Sequence, residues 1–153
     1  MPRLQFRALP AGDPDPGTVP PRLVRRVVAD AEPGYPCRRC LRFAAVGDPL
    51  WLLTYDPFLG DSPYRQPGPI FVHVRPCHPD PGDVLGAVPP MLPPRSTLSV
   101  RAFGPDHLMT TAEVHDGAHL AEAAHRLLAE SSVSYLHVHY AGPGCFAVRV
   151  ELV

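Results

Sequence analysis

The clearest pattern of hydrophobic and polar positions lies near the C-terminus, over residues 134–151. Tyr135-Leu136-His137-Val138-His139-Tyr140 and Phe146-Ala147-Val148-Arg149-Val150 each alternate with period two, and Ala141-Gly142-Pro143-Gly144 lies between them. Such alternation about a Gly/Pro turn predicts a β-hairpin. Tyr135, His137 and His139 fall on one face of its first strand, with Leu136, Val138 and Tyr140 on the other. Cross-strand neighbours share a face, so the apolar sets of the two strands coincide only if the loop is odd-numbered. A four-residue loop would set His139 opposite Phe146. The odd register is the expectation, and it clusters His137, His139 and Cys145 on one surface.

Alternation elsewhere predicts further strands. Leu4, Phe6 and Ala8 mark one over 3–9, and 23–30 reads as another with exposed arginines. Residues 50–55 are apolar on both faces, which suits a central, doubly covered strand. Residues 69–74 form a further strand, and 97–103 with 107–115 form a second hairpin around Gly104-Pro105-Asp106. One stretch has helical periodicity, 117–130, with Leu120, Ala124, Leu127 and Leu128 as its buried stripe. Asp116 is its expected cap, and Glu122 with Arg126 its exposed i,i+4 pair. Pro/Gly-rich connections fill 11–21, 56–69 and 76–94. The segment from Glu32 to Leu41 (Glu-Pro-Gly-Tyr-Pro-Cys-Arg-Arg-Cys-Leu) is extended before each proline and reads as a site-forming loop, with one helical turn after Cys37. The fold class is therefore α+β: a mostly antiparallel, curved or barrel-like sheet with one main helix and long Pro/Gly-rich loops, in a single domain over 1–153.

Composition narrows the chemistry. The chain has 153 residues, 45% hydrophobic, and a net charge of −1, enough for one buried core and no electrostatic attraction to nucleic acid or an acidic membrane. No apolar run approaches a membrane span, so a cytoplasmic protein is the expectation. All 14 basic residues are Arg, and there is no Lys or Asn. That excludes Schiff-base chemistry, a phosphate-loop lysine and a Cys-His-Asn triad. A nucleophile elbow, a dinucleotide glycine fingerprint and a His-Glu-x-x-His helix are also missing from the sequence.

What remains is thiol, imidazole and guanidinium chemistry. Cys37-x-x-Cys40 with Cys77 and Cys145 offers four thiols, with His78, His137 and His139 as supplements. Only one pair is tightly spaced, and Arg38-Arg39 inside it sets positive charge beside any cation, so zinc is kept as an alternative and no residue is assigned to a metal. As a catalytic set, Cys37 or Cys145 is the candidate nucleophile and His137 the base, with Glu151 or Tyr64 to orient it. Arg38, Tyr64, His139 and Arg149 are the candidate substrate-binding groups, a guanidinium fork suiting a carboxylate or phosphate. His73, His107, His115, His119 and His125 read as surface or packing residues.

Five motifs occur in order: Gly34-Tyr35-Pro36-Cys37-Arg38-Arg39-Cys40-Leu41, Ser62-Pro63-Tyr64, Gly68-Pro69-Ile70-Phe71-Val72-His73, Tyr135-Leu136-His137-Val138 and Gly144-Cys145-Phe146. Together they resemble the bacterial domain-of-unknown-function 1203 family, small stand-alone proteins of about this length. The resemblance brings no assigned activity, but it points to Cys37, Arg38, Tyr64, His137 and Cys145. Relatives without cysteine at the positions of Cys40 and Cys77 weigh against an obligatory four-thiol metal site. The leading expectation is a small enzyme with a Cys/His/Arg pocket, lying between the Cys37 loop, the Tyr64 loop and the C-terminal hairpin, acting on a small, anionic metabolite. A non-catalytic ligand-binding module and a zinc-stabilised structural or interaction protein are the alternatives. The sequence names no cofactor and no oligomeric state.

Overall fold

The computed structural model describes residues 2–153. Ten strands are shared between two five-stranded sheets. The first is ordered β1 (Leu4–Arg7), β10 (Phe146–Leu152), β9 (Tyr135–Tyr140), β7 (Thr97–Phe103) and β8 (Met109–Asp116), antiparallel throughout. The second is ordered β2 (Val24–Val28), β5 (Pro49–Tyr55), β6 (Gly68–His73), β3 (Pro36–Cys37) and β4 (Arg42–Phe43). Only β3 and β6 run parallel there, joined at Cys37 opposite Phe71. A one-turn helix α1 (Pro81–Val84) interrupts the long loop after β6, and α2 (Leu120–Leu128) is the main helix. The α+β class holds, with the strands divided between two sheets where one curved or barrel-like sheet was expected. No helix among the described residues is long and apolar enough to cross a membrane.

The helix stripe of Leu120, Ala124, Leu127 and Leu128 is buried and covers Val100, Leu136, Val138, Val148 and Val150 of the first sheet, with Leu4 and Phe6 closing the core. Two details of the helix differ from the sequence reading. Asp116 makes no side-chain cap: β8 runs through it, and a 3-10 turn at Gly117–His119 leads into α2. Gly117 is required at that corner, because a Cβ would sit 2.1 Å from the Pro93 carbonyl oxygen. Arg126 reaches across to Glu113 on β8 instead of pairing with Glu122. The Glu113 carboxylate is also held by His115 Nε2 (2.7 Å), which fixes it in place for Arg126.

The C-terminal hairpin combines both registers considered from the sequence. In its body Val138 pairs with Val148 and Leu136 with Val150, as the apolar sets demand. Between Phe146 and Val148 the register shifts, and at the tip His139 lies opposite Phe146. The bulge at Ala147 lets Ala147 and Val148 both serve the core, while Phe146 turns to the imidazole face. Cys145 is thereby removed from the surface that carries His137 and His139.

Candidate functional site

The turn after β3 builds the first cluster. The Leu41 N–H bonds back to the Cys37 carbonyl (2.9 Å), and Leu41 takes a left-handed φ of 60°, so the chain reverses within four residues and β4 pairs with β3. His73 ends the neighbouring β6, and Cys77 follows it in the loop. The ligand atoms of Cys37, Cys40, His73 and Cys77 all lie within 4.8 Å of one another. The Cys37 and Cys77 sulfurs are 3.7 Å apart, and Cys40 Sγ is 3.6 Å from His73 Nδ1. Zinc bonds of about 2.3 Å to sulfur and about 2.0–2.1 Å to nitrogen give tetrahedral edges of about 3.8 Å and about 3.6 Å. The fit is close.

The surroundings support the same geometry. His73 Nε2 is 3.0 Å from Asp48 Oδ2, so a carboxylate fixes the ring with Nδ1 toward the sulfurs, the arrangement that orients metal-bound histidines. The His73 N–H points at Cys37 Sγ (3.4 Å). Hydrogen bonds with Cys40 and then Cys77 pull the Cys37 thiol far below its ordinary pKa. Hydrogen bonds with Cys37 and Cys40 push His73 up to about 10. A bound cation would displace the protons these groups otherwise hold. Arg39, which the sequence reading counted against a cation, is buried beside the cluster and donates to the carbonyls of Asp13, Pro14 and His73. Three thiolates around a zinc dication leave a net negative charge, which a buried guanidinium offsets. His73 is therefore no surface residue, and Cys145 and His78 are not part of the set.

Arg38 belongs elsewhere. It is 1% exposed, and its guanidinium bridges the two sheets, Nε to the Phe146 carbonyl (2.9 Å) and Nη1 to that of Pro36 (2.7 Å). Nη2 donates to Cys145 Sγ (3.3 Å), and the group lies 5.4 Å from the Tyr140 ring centre. These partners are two carbonyls and a thiol, none of them a carboxylate. Arg38, Tyr140 and Cys145 line a cavity of about 630 Å³, walled by Phe43, Phe71 and several prolines, with Arg95 also on its lining.

His137, His139 and Tyr64 line a different, smaller chamber of about 70 Å³, with Arg101 and Phe58. His137 is 1% exposed, and neither ring nitrogen has a hydrogen-bond partner among the described residues. Each unmade bond of a buried polar group costs about 1–3 kcal/mol. Burial lowers the pKa of His137 to about 3 and of His139 to about 4, so both rings are neutral. Arg149 sits opposite His137 in the ladder and pairs with Glu151 (3.1 Å), which is thereby occupied and does not orient His137. The residues singled out from sequence thus divide into three places: Cys37 in the thiol cluster, Arg38 and Cys145 in the large cavity, Tyr64, His137 and His139 in the chamber. The shared pocket expected of them does not form, because the Ala147 bulge separates Cys145 from the imidazoles and the β3–β4 turn directs Cys37 toward β6.

Two packed sheets, one covering helix and a Cys3His cluster at the edge of the second sheet define the class: a small α+β protein with a candidate metal centre. The model of the family of proteins of unknown function DUF1203 matches residues 34–151, and the chain belongs to that family. No match was found among curated proteins or among solved structures. Sequence reasoning missed His73, Asp48 and Arg101. The signal for His73 was present: Cys37-x-x-Cys40 is answered by His73-x-x-x-Cys77, two knuckle pairs when the histidine is counted.

Proposed function

We propose that this protein is a zinc-stabilised binding module for a small anionic metabolite, acting where thiols stay reduced. The observation that carries the reading is the Cys37, Cys40, His73 and Cys77 cluster, with ligand atoms within 4.8 Å and His73 held by Asp48. Four protein ligands fill a tetrahedron and leave no position for substrate, the character of a structural rather than a catalytic zinc. The metal would tie the β3–β4 turn and the loop after β6 to the end of β6 itself. All four cysteines are free, which suits a cytoplasmic location. The Arg38 cavity is the candidate ligand site, its volume of about 630 Å³ falling in the small-molecule range. Thermal unfolding with and without a strong chelator, under reducing conditions, tests the zinc: chelation lowers Tm by about 10 °C or more. An unchanged Tm with the metal gone contradicts it.

An enzyme is the second reading, favoured by the Cys145 thiol, which lies in the same cavity 3.3 Å from the Arg38 guanidinium. Turnover that survives Cys145→Ser would remove it.

A further inference from the structure

We propose that the chamber beneath the 56–66 loop binds a small oxyanion of carboxylate size through His137 and Arg101, separately from both the metal cluster and the Arg38 cavity. The site is built on the central strand of the first sheet. His137 lies in the middle of β9, with Arg101 opposite it on β7 and Arg149 opposite it on β10, so the three side chains share one face. The imidazole is packed by Phe58, Phe103, Tyr135 and Phe146 at ring distances of 5.0–5.2 Å. Three of those rings carry no hydrogen-bonding group, and the Tyr135 hydroxyl is taken by His107 Nδ1 (2.8 Å). His139, next along the face, already uses Nδ1 on the Gly144 carbonyl (3.0 Å). Neither His137 nitrogen has a partner among the described residues, and the polar groups still open to a guest on the chamber lining include His139 Nε2 and the terminal guanidinium nitrogens of Arg101.

Charge selects what that guest is. Among the described residues, no acidic side chain lines the chamber. Arg101 lines it with only its Nε occupied, by Ser99 Oγ at 3.1 Å. Burial alone depresses the Arg101 pKa, as expected of a guanidinium with no carboxylate at hand. Arg149, whose charge also bears on His137, pairs with Glu151, a carboxylate it shares with Arg7, and its Nε has no partner among the described residues. A neutral imidazole donating one N–H and a forked guanidinium donating more form a receptor for an oxyanion, which would also pair the half-buried Arg101 charge. Size sets the upper limit: about 70 Å³ holds one carboxylate-sized group or two waters, each taking about 30 Å³ of liquid volume. Access is from the side of the loop, where Tyr64 is 43% exposed and Gln66 is exposed. The anion is thus either free or the end of a longer acid whose body lies against Tyr64.

The test is a titration of the full-length protein followed through the ring nitrogens of His137 by long-range ¹H–¹⁵N NMR. Acetate is the first probe, followed by formate, lactate, succinate and benzoate. Saturable movement of the His137 signals supports the site. Tighter half-saturation by the longer acids identifies the anion as a ligand's end group, and equal or tighter half-saturation by acetate or formate identifies it as a free anion. Arg101→Gln is expected to weaken the acetate response about tenfold or more, from loss of a charge-assisted hydrogen bond. His137→Phe, which fills the chamber with an apolar ring, is expected to abolish any acetate-dependent rise in Tm, and keeps the test open should Arg101→Gln not fold. Unmoved signals with all five acids, the chamber holding water alone, would overturn the proposal. So would a response undiminished in Arg101→Gln.

Discussion

At the scale of single residues, burial rather than residue type decides what the histidines do. His137 and His139 are kept neutral chiefly by burial, with the charges of Arg149 and Arg101 adding to it at His137 and those of Arg101 and Arg38 at His139, where the bond to the Gly144 carbonyl opposes them. Their folded pKa values lie below the 6.5 of an exposed ring, so between about pH 6.5 and about pH 4 the unfolded chain binds protons that the folded chain refuses. Their contribution to stability is whole above pH 6.5 and declines as the pH falls through that window. Urea denaturation across it, for wild type and for His137→Phe, checks the sign. The variant should lose less stability on acidification, and since both proteins keep the thiol cluster, any loss of metal at low pH cancels in the comparison. Equal losses would show that His137 is not the sensor. Arg38 and Arg39 make a parallel case. Neighbours in sequence and alike in type, one clamps the sheets beside the large cavity and the other balances the thiol cluster.

At the scale of elements, period-two and helical alternation located most strands, the second hairpin and the helix, because those patterns are local. Where an element's end is set by a distant group, they did not suffice. Asp116 reads as a cap in sequence, yet the corner there is governed by the Pro93 carbonyl pressing on Gly117. Gly117→Ala should therefore destabilise the protein by about 1–3 kcal/mol or more, read as a lowered denaturation midpoint with an unchanged slope. An unaltered midpoint would mean that the β8–α2 corner has slack the close approach does not suggest. The Ala147 bulge belongs with this case. Alternation put Phe146 with Val148 and Val150, and only the demand of two buried faces, one apolar and one lined by aromatic rings and imidazoles, explains the extra residue.

At the scale of the whole molecule, pairing across long separations is what the sequence withheld. β1 closes on β10 with Leu4 opposite Leu152, and β3 joins β6 in parallel, pairings that bring residues from both ends and from the middle of the chain together. No local period encodes them, so one curved sheet and one shared pocket were the economical expectation, whereas two sheets create three separate places. The thiol cluster was half legible. Cys37-x-x-Cys40 stood out, but His73 hid within an ordinary strand alternation, and Arg38-Arg39 looked like an obstacle before its partners were known. The family resemblance counted against a metal site that needs Cys40 and Cys77, yet both stand in the set of three thiols and an imidazole that forms.

Zinc held by Cys37, Cys40, His73 and Cys77 would fix the loops at the end of the second sheet. Elemental analysis of the protein purified under reducing conditions and passed through a desalting column tests it most directly. About one zinc per chain is the predicted result, falling to a small fraction of that in His73→Ala that remains folded. Zinc far below stoichiometry in the folded wild-type protein, even after incubation with the metal, would contradict it.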